Sequence, residues 1–399
     1  MSQPENAILA VNSGSSSLKF ALYPHTGKVV RGAHLSGNID GLEPGGTPVI
    51  QVISDSSQSS ERLGSGSADS FALALEALDQ LLARHAGEYR PSAVAHRIVH
   101  GGARLAASVV LDAAMLDYLH TLSPLAPLHQ PHNLAGVLAF QCSFPHLPQI
   151  GCFDTAFHTT LPEKEQMFAL PKALHSSGIR RYGFHGLSYR YVSERLREFS
   201  LRSAGRVVIA HLGNGASACA IRDGKSLATT MGFSALDGMM MGTRSGALDP
   251  GVLLHLLRKG WDLAQLERML YRESGLRGVS GISADMRVLH ASDDPDAKLA
   301  VDIFTHRVVR ECGALTACLG GLDVLVFTGG IGEHDAAMRA QVCGALAYLG
   351  VQLDAAANLA AAGNATVPIH TLGSGVEVWV VPTDEGRVAA QDAAALIQP

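Results

Sequence analysis

The chain has 399 residues, of which 47% are hydrophobic, 17% are charged and 42 are glycine. The apolar content is too high for a disordered chain, and the charged content is too low for a coiled coil. The net charge is −5, and a chain without a basic excess is a poor candidate for binding nucleic acid. Two or three domains are expected, because a single core seldom grows beyond about 250–300 residues.

The sequence predicts neither a signal peptide nor a membrane-spanning helix. Residues 1–6 contain no Lys or Arg, and the apolar run 7–11 is too short for a signal peptide. No run approaches 18 apolar residues. The six cysteines include no Cys-x-x-Cys pair and are interpreted as buried thiols. A soluble cytoplasmic protein with no membrane partner is expected.

The first predicted elements are three strands joined by turns. Residues 7–11 are a continuous apolar run, 18–23 alternate in polarity, and 28–35 follow a turn that contains Gly27. The segment 12–17 between the first two strands is a Gly/Ser turn rich in backbone and hydroxyl donors.

The same layout returns about two hundred residues later. The strands 206–211 and 216–221 flank the glycine-rich turn 212–215, and the pair Asp223-Gly224 predicts a hairpin into a third strand, 225–231. Two such openings indicate a duplicated domain, although a chance likeness between two hairpin sheets is the alternative.

Helices and further strands alternate between and after these openings. The predicted helices are one that Ser70 caps, with its apolar face from Phe71 to Leu82, and those at 188–199, 252–271, 296–319, 335–349 and 385–397. The predicted strands are 94–99, 149–153, 324–327 and 376–381. This alternation favours an α/β fold with a mostly parallel core, and the Ser-rich stretch 54–70 is expected to be an exposed loop.

Three glycine-rich turns are candidate phosphate sites: 12–17, 212–215 and 328–333. Such turns present successive backbone N–H groups to an anion. The third lies between a strand and a helix, where a nucleotide binds in many α/β proteins. Neither the P-loop nor the dinucleotide-binding pattern fits any of them, and a tight turn without a ligand is the alternative for each one alone.

Several polar groups lie among apolar residues. Arg97 interrupts an apolar strand and needs an anionic partner, either a protein carboxylate or a ligand. Its neighbours His96 and His100 are unlike a helical metal site because their context is β-branched. Asp154 ends a strand, where it can meet a ligand or Mg²⁺ or cap a helix.

Two further loops combine glycine with cationic groups. His185 lies between glycines in a basic loop and suits a phosphoryl oxygen, although a lone His is usually structural. Arg244 lies among small residues, and Asp384 with Glu385 ends the last strand. These carboxylates suit a divalent metal, with helix capping as the alternative.

Seven segments resemble, in order, those of the acetate kinase family, and together with Glu385 the matching positions span residues 12 to 385. They are Asn12-x-Gly14-Ser15-Ser16-Ser17-x-Lys19, HRIVHGG at 96–102, FDTAFH at 153–158, RYGFHG at 181–186, HLGNG at 211–215, MGTRSG at 241–246 and GIGE at 330–333. The family belongs to the actin, sugar-kinase and Hsp70 superfamily. The resemblance therefore implies duplicated actin-like (ribonuclease H-like) α/β domains, with mixed sheets, flanking helices and an active-site cleft between the domains.

The resemblance also implies the domain limits and the reaction. Residues 1–155 plus 386–399 would form the N-terminal domain, and 156–385 the C-terminal domain with the nucleotide site and the dimer interface. The implied reaction is reversible phosphoryl transfer from ATP to acetate, giving acetyl phosphate and ADP, with Mg²⁺, or Mn²⁺ as an alternative, in a homodimer.

The family pattern assigns roles to matching positions. Arg97, Asp154, His185 and Arg244 would be catalytic, and Asn12 with Glu385 would hold the metal. The carboxylate pocket would consist of Arg97, Val99, Leu128, Phe184 and Ala235. The nucleotide would contact Lys19, His211, Leu212, Gly213, Asn214, Gly215, Asp285, Met286, Arg287, Gly330, Ile331, Gly332, Glu333 and His334.

The acceptor in this reaction is a carboxylate, which is already ionised near pH 7 because its pKa is about 4. It needs no general base. It needs cations and N–H groups that offset the repulsion between two anions and hold them in line. Direct transfer without a phosphoenzyme is therefore expected.

Three positions depart from the family pattern: Tyr189 replaces an expected His, Met286 an expected aromatic residue and Ala235 an expected Pro. The bulky side chain of Val99 favours the small substrate acetate, whereas the small side chain of Ala235 favours a larger acid. Because one methylene is worth only about 1–3 kcal/mol, propionate is expected to be accepted as well. Propionate kinase and then butyrate kinase are the alternatives within the family. A nucleotide-gated clamp of the Hsp70 or actin kind is the alternative from another class.

Overall fold

The computed structural model describes residues 4–43, 45–54, 57–64 and 70–397. They form two compact units. The first contains the described residues up to Ala156 and those from Asp384 onward, and the second is Phe157–Thr383. The domain limits expected from the sequence differ from these by one residue at the first crossing and by two at the second.

Strands and helices alternate through both units. The strands are β1 (Glu5–Ser13), β2 (Ser17–Thr26), β3 (Val29–Val30), β4 (Leu35–Asp40), β5 (Val49–Ser54), β6 (Ser57–Arg62), β7 (Tyr89–Ile98), β8 (Val109–Val110), β9 (Gln149–Phe153), β10 (Val207–Leu212), β11 (Ala216–Arg222), β12 (Lys225–Thr229), β13 (Val324–Thr328), β14 (Val367–Pro368) and β15 (Glu377–Val380). The helices are α1 (Ser70–His85), α2 (Ala113–Thr121), α3 (Gln130–Ser143), α4 (Glu163–Gln166), α5 (Lys172–Ser176), α6 (Gly186–Leu196), α7 (Pro250–Arg258), α8 (Leu263–Arg272), α9 (Gly275–Ser280), α10 (Met286–His290), α11 (Pro295–Leu319), α12 (Gly329–His334), α13 (Ala336–Ala345), α14 (Ala355–Ala360) and α15 (Glu385–Leu396).

The first unit is built on a sheet with the order β6-β5-β4-β2-β1-β7-β9-β8, and β3 pairs with β2. The pairs β1–β7 and β7–β9 are parallel, whereas the outer pairs are antiparallel. The apolar face of α1 packs on this sheet, where Leu75, Leu78 and Leu82 join the core. The carboxyl ends of the three parallel strands therefore lie side by side at one edge.

The second unit repeats this pattern. Its sheet has the order β12-β11-β10-β13-β15-β14, in which β10–β13 and β13–β15 are parallel. The long helix α11 packs on β11 and β10. In each unit the first strand pairs antiparallel with the second and parallel with a later strand, as β1 does with β2 and β7. The predicted duplication and the α/β class are confirmed.

Four predictions about elements are wrong. The core is mixed rather than mostly parallel, because the β-hairpins extend each sheet by antiparallel pairing. The third strand of the first sheet is β4, not 28–35. The chain forms the short hairpin strand β3 there, and pairing with β2 resumes only when Leu35 lies opposite Leu22.

The predicted helix 252–271 is two helices, α7 and α8. Gly260 has a φ of +90° between them, and Asp262 caps α8. Ser57–Arg62 is an exposed strand rather than a loop, and residues 55–56 and 65–69 of the Ser-rich stretch lie outside the described residues.

Smaller differences concern a cap, a helix end and the thiols. α1 begins at Ser70 itself, and α13 ends at Ala345 before a short 3-10 turn. Cys142 and Cys318 are exposed, while the other four cysteines are buried as expected.

Within the described part of the chain, no helix combines the length and apolar character needed to cross a bilayer.

Candidate active site

In the first unit, a partly buried ion pair lies at the carboxyl ends of β7 and β9. Arg97 on β7 is paired in register with Cys152 on β9, which places its guanidinium beside Asp154. Nε of Arg97 donates to Oδ1 of Asp154 at 3.0 Å, and Nη2 donates to Oδ2 at 2.6 Å. Oε2 of Glu385 lies 3.3 Å from the same Nε. The partner that Arg97 requires is therefore a pair of protein carboxylates.

The pKa values in this cluster follow from burial and charge. Burial alone would lower the pKa of Arg97, but the charges of Asp154 and Glu385 outweigh it and raise that pKa. Burial raises the pKa of Glu385, against the opposing charge of Arg97. Arg97 therefore stays cationic, and the two carboxylates, when both are ionised, leave one net negative charge.

This oxygen-rich edge fits Mg²⁺, which prefers carboxylate and amide oxygens and retains water ligands. Asn12 is half-buried at the end of β1, and the residue before it, Val11, lies beside His96 of β7. Asn12, Asp154 and Glu385 thus belong to the same edge, and their donor set suits a hard cation.

Two buried amides of α3 hold the ends of β1 and β7 in place. Asn133 accepts a hydrogen bond from the N–H of Val99 at 3.0 Å and donates to the carbonyl of Ser13 at 2.7 Å. Gln130 accepts from the N–H of His100 and donates to its carbonyl. Sequence reasoning missed both residues, although buried amides on one helix face are a recognisable signal. Of the predicted carboxylate-pocket residues in this unit, Val99 and Leu128 are half-buried.

In the second unit, His185 is held in a strained conformation at the start of α6. Its φ is +59°, in the left-handed region that few residues other than Gly adopt, although His, Asn and Asp are found there more often than the rest. Its ring stacks on His211 with centroids 4.3 Å apart. His211 in turn bonds Ser188 at 2.8 Å, and Ser188 bonds Thr383 at 2.9 Å. The strain and this chain of contacts fix where the imidazole points.

His185, Arg244 and the backbone of Gly215 converge. A Cβ placed on Gly215 would lie 3.3 Å from Nε2 of His185 and 3.9 Å from Nη1 of Arg244. Nη1 of Arg244 also donates to the carbonyl of Ala235 at 3.2 Å. Ala235 thus contacts Arg244 through its backbone, an interaction that a Pro at this position would also offer. Phe184 is buried, and its carbonyl bonds Nε2 of His158.

Tyr189 sets the hydrogen-bond direction at His185. The phenol is fully buried, and burial raises its pKa well above the usual value, so it keeps its proton. Its hydroxyl group forms a hydrogen bond with Oγ of Ser217, at a distance of 2.5 Å. A buried hydroxyl proton needs an acceptor, so Tyr189 donates to Ser217.

Ser217 then directs its own proton to Nδ1 of His185, 2.8 Å away. Because Nδ1 accepts, the proton of a neutral His185 ring lies on Nε2, the nitrogen nearest Gly215. The sequence identified Tyr189 only as a departure from the family pattern. It did not identify Ser217, because the partners of this residue are distant in sequence.

A cavity of about 880 Å³ lies in the second unit next to this cluster. Its volume is in the range of small-molecule sites. It is lined by Gly213, Asn214, Ala284, Asp285, Met286, Arg287, His290, Gly330, Ile331, His334, Asp335 and Ala336. Eight of the predicted nucleotide residues are among them. Ala284, His290, Asp335 and Ala336 were missed, because neither their type nor their spacing distinguishes them.

The other predicted nucleotide residues lie outside this lining. Lys19 is exposed on β2 in the first unit, and His211 and Gly215 belong to the His185 cluster. Leu212 and Gly332 are buried in the second unit.

Glu333, also predicted as a nucleotide residue, braces the backbone. Its Oε1 accepts from the N–H groups of Gly329 at 2.8 Å and Thr383 at 3.1 Å. Asp285 caps α10, and its bidentate bond to Arg287 lowers the pKa of its carboxyl group.

Arg339 is a buried residue that sequence reasoning missed. Its guanidinium donates to the carbonyls of Gly332 at 3.0 Å, Glu333 at 2.8 Å and Ala361 at 3.1 Å, and to both oxygens of Asn358 at 2.8 Å. It thereby fixes the carbonyl end of α12, which carries the third glycine-rich turn.

Three buried histidines support the loops of both units. His96 bonds Gln149 at 2.7 Å, His100 accepts from the N–H of Gly102 at 2.9 Å, and His158 bonds Ser226 and the carbonyl of Phe184. Burial lowers the pKa of each to about 4. All three are neutral at pH 7. His96 lies on β7, a strand rather than a helix.

Replacing Tyr189 with Phe should allow the neutral ring of His185 to carry its proton on either nitrogen. Without the phenol proton, Oγ of Ser217 regains its acceptor capacity and can accept a proton from Nδ1. Nitrogen-15 NMR of the ring should show Nε2–H in the natural protein and a mixture of tautomers in Tyr189→Phe. Tyr191→Phe, on the same helix, is the control and should leave the spectrum unchanged. An unchanged His185 spectrum in Tyr189→Phe contradicts the assignment.

Replacing Arg339 with Met should cost roughly 3 kcal/mol of unfolding free energy, because it leaves several buried carbonyls without a donor. Urea unfolding measures the loss, and amide exchange should rise in α12. The exposed Arg268→Met is the matched control and should change stability by less than about 0.5 kcal/mol. Equal effects of the two variants would show that the buried network contributes nothing.

Stability should fall as the pH falls from 6.5 toward 4. Over this range the unfolded chain protonates His96, His100 and His158, whereas the folded chain does not. The contribution is complete above pH 6.5, and its loss is on the order of 3 kcal/mol for each imidazole by pH 4. Urea unfolding between pH 7 and pH 4.5 should give a shallower dependence for His158→Gln. The exposed His132→Gln should follow the natural protein, and parallel curves for all three proteins would refute the assignment.

Comparison with known proteins places the chain in a family. The model of the acetokinase family matches residues 7–391. An acetate kinase of Rhodopseudomonas palustris is 48% identical over 394 residues, which cover 97% of each chain, and one of Rickettsia akari is 39% identical over 97% of this chain and 98% of its own. A solved propionate kinase from Francisella tularensis has a TM-score of 0.89 at 36% identity, covering 98% of this chain and all of that one. A Porphyromonas gingivalis acetate kinase has a TM-score of 0.86 at 35% identity, with the same coverage. The chain belongs to the acetokinase family.

Proposed function

We propose that the chain catalyses reversible transfer of the γ-phosphoryl group from ATP to acetate, giving ADP and acetyl phosphate. One observation carries this proposal. The turn that lines the cavity with Gly213 and Asn214 continues into Gly215, which lies against His185 and Arg244. A nucleotide in the cavity would therefore direct its phosphates at an imidazole N–H, a guanidinium and backbone N–H groups.

These groups suit a phosphoryl group that carries spread negative charge during transfer. Arg244 offsets charge on the phosphoryl oxygens, and the Nε2–H tautomer of His185 donates a hydrogen bond without adding a full charge. Because acetate is already ionised at neutral pH, no residue has to remove a proton from it. The oxygen of acetate attacks the γ-phosphorus as the bond to the β,γ-bridging oxygen breaks, and ADP leaves.

The first unit supplies the remaining parts. Asp154 takes the N–H of Nε and one N–H of Nη2 of Arg97, so the N–H groups of Nη1 and the second N–H of Nη2 would hold the acetate carboxylate. Asn12 and Glu385 would hold Mg²⁺, and Asp154 keeps Arg97 oriented beside them. Mg²⁺ supplies charge neutralisation on the β- and γ-phosphates when bound.

We also propose that the active form is a homodimer. The helix α7 is rich in leucine, yet none of its residues is buried. Val252, Leu254 and Leu257 are exposed, as are Leu248 before α7 and Leu263 after it. An apolar patch of this kind on one element is typical of an interface, and a second copy of the chain would cover it.

The test is a hydroxylamine trap for acyl phosphate in reactions with ATP, Mg²⁺ and acetate, propionate or butyrate. Acetate should give the highest kcat/KM, and propionate should follow with a loss of about 10-fold or more for the extra methylene. A higher value for propionate would assign the chain as a propionate kinase. No acyl hydroxamate from any acid, together with intact ATP binding, would favour a nucleotide-gated clamp.

Variants test the proposed roles within the same assay. Arg244→Leu should lower kcat by about 10²–10³-fold with a smaller change in KM for ATP, because its charge acts on the transferring group. The exposed Arg268→Met should leave kcat unchanged. Chiral γ-phosphorus should invert during transfer, and retention would contradict direct attack by acetate.

A further inference from the structure

A second group of chemically active side chains lies in the first unit, away from Asn12 and Arg97. The imidazoles of His34 and His85 and the carboxylate of Glu88 each offer one ligand atom, and these atoms all lie within 4.8 Å of one another. We propose that this cluster is a Zn²⁺ site, separate from the Mg²⁺ of the proposed reaction and independent of it.

The fold holds the three residues together through their backbones. The N–H of His34 donates to the carbonyl of Leu22 at 2.9 Å, just before β4 begins. His85 is the last residue of α1, and its carbonyl accepts from the N–H of Glu88 at 2.9 Å. The carbonyl of Glu88 accepts from the N–H of Glu5 at 2.8 Å. The cluster therefore joins α1, the start of β4 and the region before β7.

Ring contacts restrict one of the imidazoles. The ring of His34 lies 4.3 Å from that of Tyr89 and 5.4 Å from that of His85, measured between centroids. Its Nε2 is 3.9 Å from Oε2 of Glu88. The His34 side chain is only 17% exposed, whereas that of Glu88 is 69% exposed. One side of the cluster is thus fixed by packing, and the other is open to solvent.

The donor set determines which ion fits. Two imidazole nitrogens and one carboxylate oxygen suit Zn²⁺, whereas Mg²⁺ prefers oxygen ligands alone. Ligands about 2.0–2.1 Å from a tetrahedral Zn²⁺ lie roughly 3.3 Å from each other. The present separations need to shorten by about 1.5 Å or less, through rotation of the side chains of His85 and of the exposed Glu88. Water can take the fourth position on the open side.

The position of His85 adds a favourable field. The carbonyl end of a helix carries partial negative charge, which stabilises a cation nearby. The last turn of α1 ends at His85, so a bound Zn²⁺ would lie close to this end.

The site is remote from the reacting groups. Glu5 and Asn12 stand near opposite ends of β1, and seven residues of extended strand span about 23 Å. A bound ion would therefore act on the fold, by fastening the end of α1 to the sheet, and not on phosphoryl transfer.

The experiment measures Zn²⁺ binding by calorimetry to the metal-free full chain and Co²⁺ binding by its visible absorption. Glu385→Gln serves as the background, so that ions at the proposed Mg²⁺ site do not contribute. One Zn²⁺ per chain should bind, and Co²⁺ should give the strong visible bands of a tetrahedral site. His85→Ala and Glu88→Gln should each lower Zn²⁺ affinity at least tenfold. The exposed His120→Ala is the matched control and should bind as the background does.

Thermal unfolding gives a second readout. Zn²⁺ should raise the unfolding midpoint of the Glu385→Gln background and of His120→Ala, but not that of His85→Ala or Glu88→Gln. If His85→Ala fails to fold, the exposed Glu88→Gln carries the test. No bound Zn²⁺ in the background, or the same affinity in Glu88→Gln, overturns the proposal. Kinase activity is measured separately in a Glu88→Gln variant that retains Glu385. This assay distinguishes a failure to bind Zn²⁺ from a failure of the proposed reaction.

Discussion

Parallel pairing at the centre of each sheet is the constraint on which the candidate functional residues of each unit depend. Parallel strands bring their carboxyl ends to one edge, and each strand must then pass into a helix or loop there. In the first unit that edge collects Asn12, Arg97 and Asp154, and in the second it collects Gly213 and Gly330. Apolar strand interiors support these few polar groups, because nearly every strand residue before them is buried. The chain has few charged residues, and several of those with a proposed function lie at or near strand ends.

The ion pair of Arg97 shows how this edge handles charge. One guanidinium faces two carboxylates, so the cluster is short of positive charge and suits a divalent cation. In the second unit, two arginines donate to neutral acceptors. Arg244 bonds a carbonyl and a thioether sulfur, and Arg339 bonds amide and carbonyl oxygens. Neutral acceptors offset the charge of a guanidinium less than a carboxylate does, which suits a unit that would bind phosphates.

Sequence patterns predicted the class of fold and its duplication because both rest on local signals. The run 149–153 and the hairpin pair Asp223-Gly224 identify their own elements whatever lies around them. The resemblance of the motifs likewise predicted that His185, Arg244 and Gly215 all act on phosphate groups. The third strand of the first sheet was missed because its register depends on Leu22, thirteen residues before Leu35.

The residues that support the site were harder to predict, because their partners are distant in sequence. Arg339 resembles any surface arginine of a helix until its acceptors in α12 and α14 are known. Gln130 and Asn133 show their role only when the ends of β1 and β7 lie beside α3. Glu333 belongs to a conspicuous glycine-rich motif, yet its hydrogen bonds brace the backbone. A motif therefore identifies the neighbourhood of a ligand better than it identifies which side chain touches the ligand.

The left-handed backbone at His185 also affects how this position can change. A φ of +59° costs most residues of order 1 kcal/mol or more, and a β-branched residue is the least compatible with it. Replacing His185 with Ala or Val therefore alters the start of α6 as well as removing the imidazole. Asn is the substitution that separates the two effects, because its side chain tolerates this conformation best among those that carry a Cβ. The backbone thus narrows the set of residues that selection can sample at the position where a phosphoryl group would be held.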